Sequence, residues 1–82
     1  MKPVEAFAQV LRRIRKAKNI SQEELAHQSG LDRTYISLLE RGLRQPSLSS
    51  ILLISKSLGV SSADILKEVE AKLTQGPPER MN

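Results

Sequence analysis

Across residues 3–18 the apolar residues Phe7, Val10, Leu11, Ile14 and Ala17 recur at steps of three and four, with Arg12, Arg13, Arg15 and Lys16 between them. That spacing predicts an amphipathic helix with one inward stripe. Ile20 then precedes Ser21-Gln22-Glu23-Glu24, a capping box in which hydroxyl and carboxylate each satisfy an orphan backbone N–H. Ile20 reads as the hydrophobic staple of a short second helix, about residues 22–28, stopped by Gly30, which accepts the positive φ of a tight turn. Asp32 is the N-cap candidate of a third helix running to Arg41 and ending at Gly42. Ile36 and Leu39 form its inward stripe; Arg33, Thr34, Tyr35, Ser37 and Leu38 fall outside it. Pro46 disfavours helix at Gln45, so residues 43–46 read as a loop. Ser47 caps a fourth helix that reaches Leu58 and closes at Gly59, with Leu48, Ile51, Ile54, Ser55 and Leu58 expected on its buried face. Ser61 or Ser62 caps a fifth, carrying Ile65, Leu66, Val69 and Leu73. Gly76-Pro77-Pro78 breaks the pattern, and residues 74–82 are expected to form a flexible tail. No strand-like alternation occurs. The expectation is a compact all-α, five-helix domain over residues 1–73.

Composition narrows what such a domain can do. Eighty-two residues, 39% of them hydrophobic, make one small core. There is no Cys and a single His, His27, so thiolate zinc sites, disulfides and histidine-based catalytic or metal centres lack their parts. No metal, cofactor or small-molecule effector is expected, and no enzymatic activity. No apolar run approaches the roughly 18 residues that span a bilayer, and no signal peptide opens the chain. The basic amphipathic first helix needs its apolar face for the core, which argues against membrane binding. A cytoplasmic binding module is the expectation. Phe7 and Tyr35 are the only aromatics, too few for the stacking platforms that bind single strands.

The net charge of +4 is unevenly spread. Residues 1–20 set Lys2, Arg12, Arg13, Arg15, Lys16 and Lys18 against Glu5, and residues 41–60 hold Arg41, Arg44 and Lys56 with no acid. Between them, Glu23, Glu24, Asp32 and Glu40 outnumber Arg33. Two basic zones bracket an acidic one. On charge alone this fits a polyanion footprint and a solvated helix face equally well.

Helices two and three are joined by about three residues, which suits a crossed pair. A helix-turn-helix makes three steric demands on such a pair. The first helix needs a small residue where the backbones approach (Ala26), the turn needs tolerance of positive φ four positions on (Gly30), and the second helix needs a β-branched residue turned into the core (Ile36). All three stand in register between two capped helices.

At these residues the chain resembles a family. Ser21-Gln22-Glu23-Glu24-Leu25-Ala26, Ser29-Gly30-Leu31, Tyr35-Ile36-Ser37-x-x-Glu40-x-Gly42 and Pro46-Ser47-Leu48 look like the Cro/lambda-repressor type (XRE family) of helix-turn-helix transcriptional regulators. The resemblance covers roughly residues 8–66. The heptapeptide Leu31-Asp32-Arg33-Thr34-Tyr35-Ile36-Ser37 further resembles controller proteins of restriction–modification systems. What this implies is a lambda-repressor-like domain acting as a homodimer on pseudo-palindromic double-stranded DNA, with a recognition helix at about residues 32–41 in the major groove. By the same resemblance Arg33, Thr34, Tyr35 and Ser37 match base-reading or groove positions. Ser21, Gln22, Arg41, Arg44 and Gln45 match backbone-contacting ones, although Gln22 also matches positions that touch the edge of an outer base. Arg33 has the donors for guanine O6 and N7, and Thr34 a methyl for thymine or a hydroxyl for another base. Leu38 stands where some relatives carry a polar reader, which leaves that contact in doubt.

Competing readings stand beside these. Arg33 is otherwise an exposed charge paired with Asp32 or Glu40, and Tyr35 a ring closing the core edge. His27 reads as a surface residue. Glu40, acidic beside a DNA face, is expected to form a structural salt bridge with an arginine of the first helix such as Arg12 or Arg15. The apolar residues of helices four and five exceed what one small core holds, so Leu52, Leu53, Ile65, Leu66, Val69 and Leu73 are the candidate dimer interface. The alternative function is an antitoxin-like or other protein-binding module using that same surface.

Overall fold

The structure, a computed structural model, describes residues 1–74. It holds five helices: α1 (Pro3–Ala17), α2 (Gln22–Ser29), α3 (Arg33–Glu40), α4 (Leu48–Leu58) and α5 (Ser62–Leu73). All five lie where the periodicity places them, and the third is trimmed to Arg33–Glu40 because Asp32 and Arg41 serve as its caps. The tail expected from residue 74 lies, from residue 75 on, outside the described residues.

Each boundary has a local cause. Ser21 Oγ accepts from Glu24 N at 3.0 Å while Ser21 N donates to Glu24 Oε1 at 2.9 Å, closing the capping box of α2. Asp32 caps α3 through Thr34 N, Ser47 caps α4 through Ser50 N, and Ser61 caps α5 through Asp64 N. Gly30, at φ 74°, ends α2 in the left-handed conformation that a side chain resists.

α1 packs on α3 and α5, α2 on α3 and α4, and α4 on α5. The core gathers Ala6, Phe7, Val10, Leu11 and Ile14 from α1 with Leu25, Ala26, Ile36, Leu39, Ile54, Leu58, Ile65 and Val69, and Ile20 covers its edge as the staple requires. Ala26 and Ile36 both belong to it, satisfying two of the three steric demands of the crossed pair; Gly30 satisfies the third.

Two expectations are corrected here. Leu48 is 71% exposed, and the inward position in the first turn of α4 belongs to Ser50, 5% exposed. The cause is polar: Ser50 Oγ donates to Tyr35 Oη at 2.9 Å, which turns α4 so that Ser50, Ile54, Ser55 and Leu58 face inward. Ile65 and Val69 are core residues, 2% and 7% exposed, because α5 lies against α1 and α4. They are unavailable as dimer surface. Leu52, Leu53, Leu66 and Leu73 stay exposed. Among the described residues no single helix is long and apolar enough to cross a membrane.

The buried polar group that ties the helices together is Glu40, 2% exposed. Its carboxylate accepts from Arg15 Nε at 2.5 Å and Nη2 at 3.0 Å, and its backbone carbonyl accepts from Arg12 Nη1 at 2.6 Å. Both arginines expected as partners are engaged, one by the side chain and one by the backbone. Arg15 Nη1 also donates to Ile20 O at 2.8 Å. Removing one member of a buried pair strands the other charge. Glu40→Ala is therefore expected to lower the unfolding free energy by about 3–5 kcal/mol, measured by urea denaturation. A loss below about 1 kcal/mol would mean that water screens the pair as it does at a surface.

Candidate nucleic-acid interface

The first turn of α3 is built for display. Asp32 Oδ1 holds Thr34 N at 3.3 Å, fixing the helix start, and Ile36 and Leu39 anchor the opposite face in the core. Arg33 and Thr34 are left exposed and Ser37 half-buried on the outer face. Together with Gln22 at the start of α2 they line an open depression of about 230 Å³. The crossing of α2 and α3 thus brings together four candidate residues that span fifteen positions of sequence.

Gln22 is half-buried, and its Nε2 donates to Glu40 Oε1 at 3.0 Å. Ser21, beside it, is occupied by its own cap, with Oγ and backbone N both bonded to Glu24. Arg41, Arg44 and Gln45 are exposed on the segment that leaves α3.

Tyr35 takes a different direction. Its ring packs against the core edge, as the competing reading had it, and its hydroxyl oxygen accepts from Ser50 Oγ at 2.9 Å and Ser47 N at 3.3 Å. The Arg44 guanidinium lies 5.5 Å from the ring centroid, within cation–π range. Burial pushes the phenol pKa up, but the two hydrogen bonds it accepts and the Arg44 charge outweigh this and leave it below the usual value. Its own proton takes part in neither bond. The Tyr35–Ser50 tie between α3 and α4 went unread in the sequence. Its signal was Ser50 standing three residues after the Ser47 cap, on the inner side of the helix.

Arg33 pairs with neither Asp32 nor Glu40, and no ion pair engages it among the described residues. Arg13 is paired with Glu68 of α5. Among the described residues no group of His, Asp or Glu side chains is arranged to hold a metal ion.

A family model described as helix-turn-helix matches residues 11–65, which includes both crossed helices. This chain belongs to the XRE-type helix-turn-helix family. Among its relatives, the control protein C.BamHI of Bacillus amyloliquefaciens is 54% identical over 61 residues, 73% of this chain and 75% of that protein. The control protein C.SmaI of Serratia marcescens is 40% identical over 72 residues, 88% of this chain and 86% of that protein. The solved restriction–modification controller protein C.AhdI from Aeromonas hydrophila superposes with a TM-score of 0.74 at 44% identity, covering 76% of this chain and 94% of that one. The controller protein C.Esp1396I, solved as a tetramer in complex with its natural 35 base-pair operator, gives 0.82 at 35% identity, covering 92% and 99%.

The Tyr35 hydroxyl is a joint as well as a candidate contact, so Tyr35→Phe is expected to cost about 1 kcal/mol of stability. A thermal-unfolding double-mutant cycle with Ser50→Ala should show the two costs to be strongly non-additive. Simple additivity would mean the bond carries no energy.

Proposed function

We propose that the chain is a cytoplasmic transcriptional regulator of the restriction–modification controller type, binding double-stranded DNA as a homodimer on a pseudo-palindromic operator. The observation that carries this reading is the outer face of α3, where Arg33, Thr34 and Ser37 stand free beside Gln22 above a rigidly capped and core-anchored helix. The controller-protein relatives support it, and the operator-bound C.Esp1396I supports duplex DNA as the partner.

In this reading α3 lies in the major groove. Arg33 supplies two donors to guanine, and Thr34 and Ser37 read neighbouring bases. Tyr35 donates its free hydroxyl proton at the groove edge. Arg41, Arg44 and Gln45 grip the sugar-phosphate backbone, which sets register without reading sequence.

The second copy docks through the exposed leucines of α4 and α5: Leu52, Leu53, Leu66 and Leu73, between 38% and 52% exposed. Completing the burial of each contributes up to roughly 1.5 kcal/mol, and a two-fold arrangement doubles the count. Such a dimer sets two recognition helices about 34 Å apart, one turn of DNA.

Arg33→Ala is expected to weaken operator binding by about 1–3 kcal/mol and to relax preference at one base pair per half-site. Arg44→Ala should instead lower affinity evenly across sequences and flatten the salt dependence. Gel-shift titrations at several salt concentrations separate the two, and identical behaviour of both variants would refute the assignment. Leu53→Glu places a charge in the proposed dimer face and is expected to yield a folded monomer by light scattering, with intact helical circular dichroism. A dimer that survives the substitution would move the interface elsewhere.

A further inference from the structure

Arg44 stands exposed in the segment that joins α3 to α4, and no ion pair engages it among the described residues. Its guanidinium lies instead over the Tyr35 ring, 5.5 Å from the centroid. A ring face attracts a cation but offers no lone pair, so this contact uses none of the guanidinium N–H donors. An arginine seated in this way keeps its whole donor fork for another acceptor.

The seat itself is fixed. Tyr35 belongs to α3 and its ring packs against the core edge. Its hydroxyl oxygen accepts from Ser50 Oγ at 2.9 Å and from Ser47 N at 3.3 Å, at the start of α4. The ring is thus tied to both helices that the Arg44 segment connects. A long side chain loses rotamer freedom when a partner immobilises it, and a seat occupied beforehand removes part of that loss. Resting on the DNA-binding function proposed above, we propose that Tyr35 is the positioning residue of Arg44, its ring holding the guanidinium ready for a phosphate. The part of Tyr35 that does this is the ring and not the hydroxyl. Phenylalanine keeps the ring face, whereas leucine fills space beside the core and offers none.

The test is the affinity for a duplex of arbitrary sequence at low salt, measured for Tyr35→Phe and Tyr35→Leu, each with Arg44 and with Arg44→Ala. Both variants lack the hydroxyl, so their comparison isolates the ring. With Arg44 present, Tyr35→Leu is expected to bind about 3-fold more weakly than Tyr35→Phe. With Arg44→Ala the two are expected to bind alike. Side-chain ¹⁵N relaxation of the free wild-type protein, which requires no variant to fold, is expected to show Arg44 Nε more ordered than Arg33 Nε. Equal binding by the Phe and Leu variants with Arg44 in place would overturn the proposal. So would a difference that persists without Arg44, because the ring would then act on its own. An Arg44 as mobile as Arg33 in the wild type would overturn it too. A wild type that binds no duplex would instead overturn the DNA-binding function, while the order of Arg44 in the free protein would still decide whether the ring seats it.

Discussion

Glu40 sits at the C-terminal end of α3, almost without solvent, and four hydrogen bonds end on it: two from Arg15, one from Arg12 and one from Gln22. Taking a carboxylate and a guanidinium out of water costs several kcal/mol for each, so the pair persists only with near-complete hydrogen bonding. Here that condition is met, since among the described residues no buried side-chain polar atom lacks a partner. The geometric consequence matters more than the energy. Arg15 reaches Glu40 from α1 and Ile20 O in the segment leading to α2, while Gln22 reaches it from the first residue of α2. One carboxylate thereby fixes the mutual positions of three helices, including the two that form the crossed pair.

That constraint is needed because α2 and α3 have only eight residues each. Isolated helices below about 12 residues are marginal in water, so neither helix could hold the outer face of the pair in place by its own propensity. The caps at Ser21 and Asp32 define where the helices start. Glu40 pins the far end of α3 to α1, and Tyr35 pins its first half to the N-terminal turn of α4 through Ser47 and Ser50. Arg33 and Thr34 lie between the Asp32 cap and Tyr35, and Ser37 between Tyr35 and Glu40; their side chains bear none of the structural load. The side chains free to meet a partner are carried on a helix fixed along its length by those that are not.

The division between what the sequence disclosed and what it withheld follows the range of the interactions involved. Caps and stop signals act over three or four residues, so Ser21-x-x-Glu24, Asp32, Ser47, the Ser61-Ser62 pair and the glycines located the four helices after the first, and apolar spacing located α1. The Ala26–Gly30–Ile36 register revealed the crossed pair, because its steric demands have fixed spacing. The rotation of α4 was hidden. Leu48 is the more apolar choice for the core, but Ser50 wins the position by bonding to a tyrosine fifteen residues away. Ile65 and Val69 were assigned outward because hydrophobic excess alone gives no direction, and only the packing of α5 on α1 and α4 decides which residues of the stripe turn inward. The Gln22–Glu40 bond spans eighteen positions and exists only once the crossing angle is set.

Charge shows the same dependence on the fold. Six of the basic residues lie in the first twenty positions, and taken alone they make α1 the obvious polyanion-binding element. Three of the six have partners within the chain: Arg12 and Arg15 at Glu40, and Arg13, at the surface, at Glu68. Arg33 and the two arginines of the second basic zone are differently placed. Arg33 carries no ion pair among the described residues, Arg41 and Arg44 are exposed, and Arg44 is steadied over the Tyr35 ring. Exposed charges separated by more than a Debye length, about 8 Å at physiological ionic strength, are largely screened from each other, so position counts for more than the total. Arg33, Arg41 and Arg44 thus stand together along α3 and the segment that follows it, while the exposed basic groups left on α1 are Lys2, Lys16 and Lys18. In the proposed reading, attraction and base recognition then originate from the same helix and the segment that leaves it, and the position of three arginines counts for more than the modest net charge.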